Sequence, residues 1–147
     1  MAEAPEQTKT LRIVVAEDNR DLQTMMQMTL DVAGFKVVGQ AYDGRETLEL
    51  VREHQPDILL LDLHMPEVGG LEVLPEIHAI APHCKVVIHS AIAAMFITES
   101  ALRAGAVAYI EKGVSPRSIV AHLNRVATAG TVRPVRPYPL SREYPES

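Results

Sequence analysis

The chain is short of the special devices by which small proteins are cross-linked, anchored or charged. Cys84 is its one cysteine, so no internal disulfide can form and the composition suits a reducing compartment. Tryptophan is missing and aromatic residues make up 4% of the chain, which leaves a core to aliphatic side chains. Basic residues number 14 against 19 acidic ones, a net charge of −5. That balance argues against non-specific attraction to nucleic acid or anionic membranes. No apolar run approaches the roughly 20 residues that span a bilayer, and the opening MAEAPEQTKT lacks the apolar stretch of a secretory leader. Neither GxxxxGK nor GxGxxG occurs, so nucleotide binding has no support. His54, His64, His78, His83, His89 and His122 share no metal-ligand spacing, and one cysteine cannot complete a zinc site. What is present is 147 residues, 47% of them hydrophobic: enough for one α/β domain, expected to be soluble and cytoplasmic.

Strands and helices alternate along that domain. Leu11–Ala16 is an apolar strand ending on Glu17 and Asp18. Asn19 caps a helix carrying Leu22, Met25, Met26, Thr29, Leu30 and Ala33 at core-facing spacing, stopped by Gly34. Phe35–Ala41 is a second strand. Asp43, with Glu46 three residues on, has the spacing of a capping box opening a helix whose Leu48 and Val51 face inward. Asp57–Asp62 holds the continuously apolar Ile58–Leu61, the mark of a short strand buried on both faces. Leu71, Leu74, Ile77 and Ile80 define a third helix that contains Pro75. Cys84–His89 is a fourth strand ending at Ser90, 93–104 a helix stopped by Gly105, and Ala106–Ile110 a fifth strand leading to Lys112. Ser115-Pro116 opens a last helix over Ile119, Val120, Leu123, Val126 and Ala127, closed by Gly130. The alternation predicts a doubly wound, five-stranded parallel sheet of (βα)5 type. Residues 1–10 read as a flexible arm, 11–130 as the domain, and 131–147, with Pro134, Pro137, Pro139 and Pro145, as a proline-rich tail.

In such a sheet the carboxyl ends of the strands share one edge, where ligands bind. That edge would gather Glu17, Asp18, Asp62, Ser90 and Lys112. Three carboxylates held together repel one another unless they share a hard cation, and a site with few oxygen ligands and open positions suits Mg²⁺ and a phosphate oxygen. With a lysine and a hydroxyl alongside, the set is a cradle for phosphoryl transfer, which is catalysed mainly by positioning and charge neutralisation. Asp62 is the carboxylate best placed to act as nucleophile and form an aspartyl phosphate.

The acidic pair after strand one, PDILLLDLHMP around Asp62, HSA at the end of strand four and AYIEKG with Lys112 together resemble the receiver domain of two-component response regulators, the CheY-like superfamily. The resemblance spans about Leu11 to Gly130. It implies a flavodoxin-like sheet of order 2-1-3-4-5 and Asp62 as phosphoacceptor. Asp18 would be a direct Mg²⁺ ligand, with Glu17 beside it and the backbone carbonyl of His64 as a further ligand. Lys112 would pair with the acids and then with phosphoryl oxygens. Ser90 and Tyr109 would be the switch hydroxyl and switch aromatic, acting on the face formed by the fourth helix, fifth strand and last helix. Pro66 and Gly70 match the loop after the acceptor. The implied partner is a sensor histidine kinase or phosphotransfer protein carrying a phosphohistidine, and the chain would be a switch that catalyses only its own modification, not an enzyme of turnover.

Competing readings weigh less. A haloacid-dehalogenase-type phosphatase also forms an aspartyl phosphate, but wants an acid two residues after the nucleophile, where His64 stands. A pseudo-receiver that only binds is disfavoured by the complete acidic set with Ser90 and Lys112. Asp57 fits the start of its strand better than it fits chemistry. Ile92, two residues after Ser90, and His64 flank the path of an attacking water and predict a long-lived phosphoryl group. Met95 and Phe96 fall outside the buried stripe of their helix and suggest an apolar patch for a partner or a second copy. Leu140-Ser141-Arg142-Glu143 resembles the opening of a helix-turn-helix output domain, so the chain is either a stand-alone receiver or part of a DNA-binding regulator. By itself it is expected to bind neither nucleic acid nor membrane.

Overall fold

A computed structural model describes residues 10–128 apart from 67, 69, 92–99 and 102. The elements run β1 (Arg12–Ala16), α1 (Arg20–Val32), β2 (Lys36–Ala41), α2 (Gly44–His54), β3 (Ile58–Leu61), α3 (Gly70–Ile80), β4 (Lys85–Ser90), β5 (Ala108–Glu111) and a C-terminal helix (Pro116–Thr128). All pairings are parallel, in the order β2-β1-β3-β4-β5. The expected topology is therefore present. Most of the expected fourth helix, with Ile92, Met95 and Phe96, lies outside the described residues, as do residues 1–9, Gly130 and the tail 131–147. Within that helix, Ser100, Ala101 and Arg103 are described and helical.

β3 explains why the sheet is covered on both sides. Ile58, Leu59, Leu60 and Leu61 are each no more than 1% exposed. Because successive strand residues point to opposite faces, Leu59 and Leu61 join a core with Val14, Val51 of α2 and Leu74 and Ile77 of α3. Ile58 and Leu60 join another with Val15, Met26 and Leu30 of α1, and Ile119 and Leu123 of the C-terminal helix. Truncating any one of the four to alanine is expected to cost about 2–5 kcal/mol.

The helix ends follow their local chemistry. Asn19 Oδ1 accepts the Leu22 N–H at 2.9 Å and Asp43 Oδ1 accepts the Glu46 N–H at 2.8 Å. The return arm of the second cap differs from the usual box: Glu46 Oε1 accepts the N–H of Tyr42, not that of Asp43. At the C-terminal helix, Ser115 Oγ accepts the Ser118 N–H at 3.1 Å. Asp57 lies just before β3, but the strand start its side chain holds is that of the neighbouring β1: its Oδ2 accepts the Arg12 N–H at 2.9 Å. Gly105 carries a φ of +111°, and a Cβ there would run into the His78 ring, whose Nε2 bonds the Gly105 carbonyl at 3.2 Å. Cys84 is buried, and desolvation, with the Asp57 charge adding to it, pushes its thiol up to about 12, so it is an inert core group.

One helix face departs from the expected phase. The buried residues of α1 are Gln23, Met26 and Leu30, while Leu22, Met25 and Thr29 are half-buried and Ala33 is exposed. The inward stripe follows i, i+3, i+7 from a glutamine. A reading by hydrophobicity passes over that residue and turns the helix toward its neighbours.

Candidate functional site

Parallel strands deliver five of the expected residues to one edge. Glu17 and Asp18 follow β1, Asp62 follows β3, Ser90 closes β4, and Lys112 comes just after β5. Main-chain bonds beyond the ladders fix these exits: the Asp62 N–H donates to the Ala16 carbonyl at 3.0 Å, and the Lys112 N–H to the Ser90 carbonyl at 3.0 Å. A cleft of about 570 Å³ opens there, lined by Glu17, Asp18, Asp62, His64, Ala91 and Lys112 among others.

Lys112 ties the acids together. Its Nζ donates to Asp62 Oδ2 at 3.0 Å and lies 2.8 Å from Glu17 Oε1. The other Asp62 oxygen accepts the His64 N–H at 3.0 Å, and the other Glu17 oxygen accepts the Asn19 N–H at 3.0 Å. Asp62 thus has a donor on each oxygen and a fixed orientation. Desolvation pulls the Lys112 ammonium down, but the Glu17 and Asp62 carboxylates outweigh it and leave its pKa raised. For Glu17, burial outweighs the help from Lys112 and Asn19 and raises the carboxyl's pKa.

Charge in the cleft is not balanced by the lysine alone. Carboxylate oxygens of Glu17, Asp18 and Asp62 lie within 4.8 Å of one another. The Glu17 Oε1–Lys112 contact is close but off hydrogen-bonding geometry, so that buried oxygen has an ion-pair neighbour and no formed hydrogen bond. Two buried acids, one exposed acid and an under-satisfied oxygen suit a hard divalent cation with open coordination positions. The residues present fit Mg²⁺.

Ser90 and Tyr109 stand apart from the cleft lining. Ser90 is fully buried, whereas Ala91 after it lines the opening. Tyr109 is 2% exposed, and its hydroxyl donates to the Ser90 carbonyl at 3.3 Å. The side chain is thus turned inward.

Two residues outside the expected set also belong to this edge. Gln23 bonds the main chain around Glu17, and its signal in the sequence is a polar residue in register with Met26 and Leu30. His89 alternates with Ser90 along β4 and is buried. Desolvation, with the Lys112 charge in second place, lowers its pKa to about 4. Its place at the end of an apolar strand, within HSA, is the signal that separates it from the other histidines.

Comparison with known proteins fits this geometry. A family model described as the response regulator receiver domain matches residues 13–124. The chain belongs to that family. This receiver is 34% identical over 116 residues to the chemotaxis protein CheY of Thermotoga maritima, a match covering 79% of this chain and 97% of that one. It is 36% identical over 106 residues to the transcriptional regulatory protein CitT of Bacillus subtilis, covering 71% of this chain and 47% of that one. Among solved structures, a signal receiver domain from Mycobacterium tuberculosis assigned to the response regulator NarL superposes with a TM-score of 0.78 at 29% identity, covering 83% of this chain and 99% of that one. The receiver therefore spans nearly all of one relative and about half of another. Among the described residues no helix is long and apolar enough to cross a membrane.

Proposed function

We propose that this receiver takes a phosphoryl group from a phosphohistidine of a sensor kinase or phosphotransfer protein onto Asp62. The observation that carries the reading is Asp62 in the cleft, 3.0 Å from the Lys112 ammonium and within 4.8 Å of the Glu17 and Asp18 carboxylates. A carboxylate oxygen of Asp62 forms the new P–O bond while the P–N bond to the donor histidine breaks, the electron pair leaving with the imidazole nitrogen. Lys112, already bonded to Asp62, exchanges part of that pairing for the phosphoryl oxygens as charge moves outward. The His64 N–H holds Asp62 Oδ1 and so orients the nucleophile.

Glu17, Asp18, Asp62 and the backbone carbonyl of His64 would hold Mg²⁺, which when bound neutralises charge on the transferred group. Ser90 is the switch hydroxyl in this reading. It is fully buried, so engaging the phosphoryl group requires the end of β4 to shift. Tyr109, bonded to the Ser90 carbonyl, reports that shift to the face around β5 and the C-terminal helix. That face is the proposed contact for a partner or a second copy.

The test is phosphorylation by a small phosphodonor with Mg²⁺, followed by intact-mass measurement. One phosphoryl group should be gained, base-labile and absent from Asp62→Asn. The same gain in the mutant would overturn the assignment.

A further inference from the structure

We infer that Gln23 is a positioning residue for the acidic turn, and that the divalent-cation affinity of the cleft depends on its side-chain amide. The inference rests on the cation reading above. Gln23 is 1% exposed on the sheet-facing side of α1. Its Nε2 lies 3.0 Å from the Val15 carbonyl, 3.1 Å from that of Glu17 and 3.0 Å from that of Ala41. An amide nitrogen has two hydrogens, so one of them is shared between two of these acceptors.

The placement has a structural reason. The β1–β2 ladder ends at the pair Ala16↔Ala41. Past that rung only one strand-like bond follows, from the Glu17 N–H to the Ala41 carbonyl at 2.9 Å. The Glu17 carbonyl has left the ladder in a buried region, where an unmade main-chain bond costs about 1–3 kcal/mol. Gln23 supplies that donor from above the sheet edge. Fixing the carbonyl of Glu17 fixes the peptide joining it to Asp18, and so the direction from which both carboxylates approach Asp62.

The same amide accepts a cost to do this. Its Oε1 is buried and has no hydrogen-bond donor among the described residues. The flipped amide would set an oxygen against three carbonyl oxygens, so the orientation is decided by the nitrogen. Residues that act from behind a metal's ligands commonly change affinity by about 10–100-fold when removed. Gln23 occupies that place here, through the backbone.

The experiment measures Mg²⁺ affinity by titration calorimetry on the folded chain, with urea unfolding run alongside. Gln23→Met keeps length and burial and removes the donors; Met26→Ala, one turn along the same face, is the control for lost packing. Gln23→Met should weaken Mg²⁺ binding about tenfold, while Met26→Ala lowers stability and leaves affinity within about twofold of the parent. Should Gln23→Met not fold, Gln23→Asn, whose amide is one methylene short, is read the same way. Mg²⁺ binding by the parent that the glutamine variants leave within about twofold overturns this inference alone. A parent that binds no Mg²⁺ overturns the cation reading and this inference with it.

Discussion

His89 makes the receiver's stability depend on pH in a direction that can be worked out beforehand. Its pKa falls from 6.5 to about 4, first through burial and then through the Lys112 charge. Well above pH 6.5 the ring is neutral whether the chain is folded or not, so it contributes no slope. Below that, the unfolded chain takes up the proton first, and stability is lost as pH falls toward 4. At about 1.4 kcal/mol per unit the full drop is roughly 3 kcal/mol, a large share of the stability of a small domain. Urea unfolding of the parent and of His89→Leu, which removes the titration and keeps an apolar side chain, should show the parent losing about 3 kcal/mol more than the variant as pH falls from 7 to 4. Following the ring itself by NMR should show it neutral at pH 5.5. A ring titrating near 6.5, or a His89→Leu protein that loses as much stability as the parent over the same range, would refute the reasoning.

Other outcomes follow from the same structure. Gly105→Ala places a side chain at a left-handed φ, about 1–2 kcal/mol, and displaces His78 from its bond to the Gly105 carbonyl, about 1 kcal/mol more; urea unfolding should show a loss of about 2–3 kcal/mol, and a loss under 1 would contradict the packing described. Mg²⁺ at one hundred times its Kd should raise stability by about 2.7 kcal/mol and increase Tm reversibly with chelator. Asp18→Asn should remove most of that increase; an unchanged shift would place the cation elsewhere.

The elements β3 and α1 differ in how much of their burial is legible in the sequence. Ile58–Leu61 identified itself as a two-faced strand, because four apolar residues in a row can be buried together only with cover on both sides. Its ending on Asp62 implies the edge where ligands bind; Glu17, Asp18, Asp62 and Lys112 line the cleft there, while Ser90, at the same edge, is buried away from it. In α1 the pattern is incomplete. Hydrophobicity finds Met26 and Leu30, which are buried, and Met25, half-buried against the same core, but it passes over Gln23, whose value lies in three carbonyls contributed by β1, its exit and β2. No single window of sequence contains that set.

By itself, then, the amino-acid sequence determined the alternation of elements, their caps and the order in which acids, hydroxyl and lysine meet the sheet edge. Periodicity and end-capping are local, and parallel connections leave little freedom in where strand ends go. Only the tertiary structure decided which Glu17 and Asp62 oxygens Lys112 approaches, the inward turn of Tyr109 and the neutral state of His89. Those properties depend on distances of a few ångströms between segments far apart in the chain, and on burial, which no local pattern encodes.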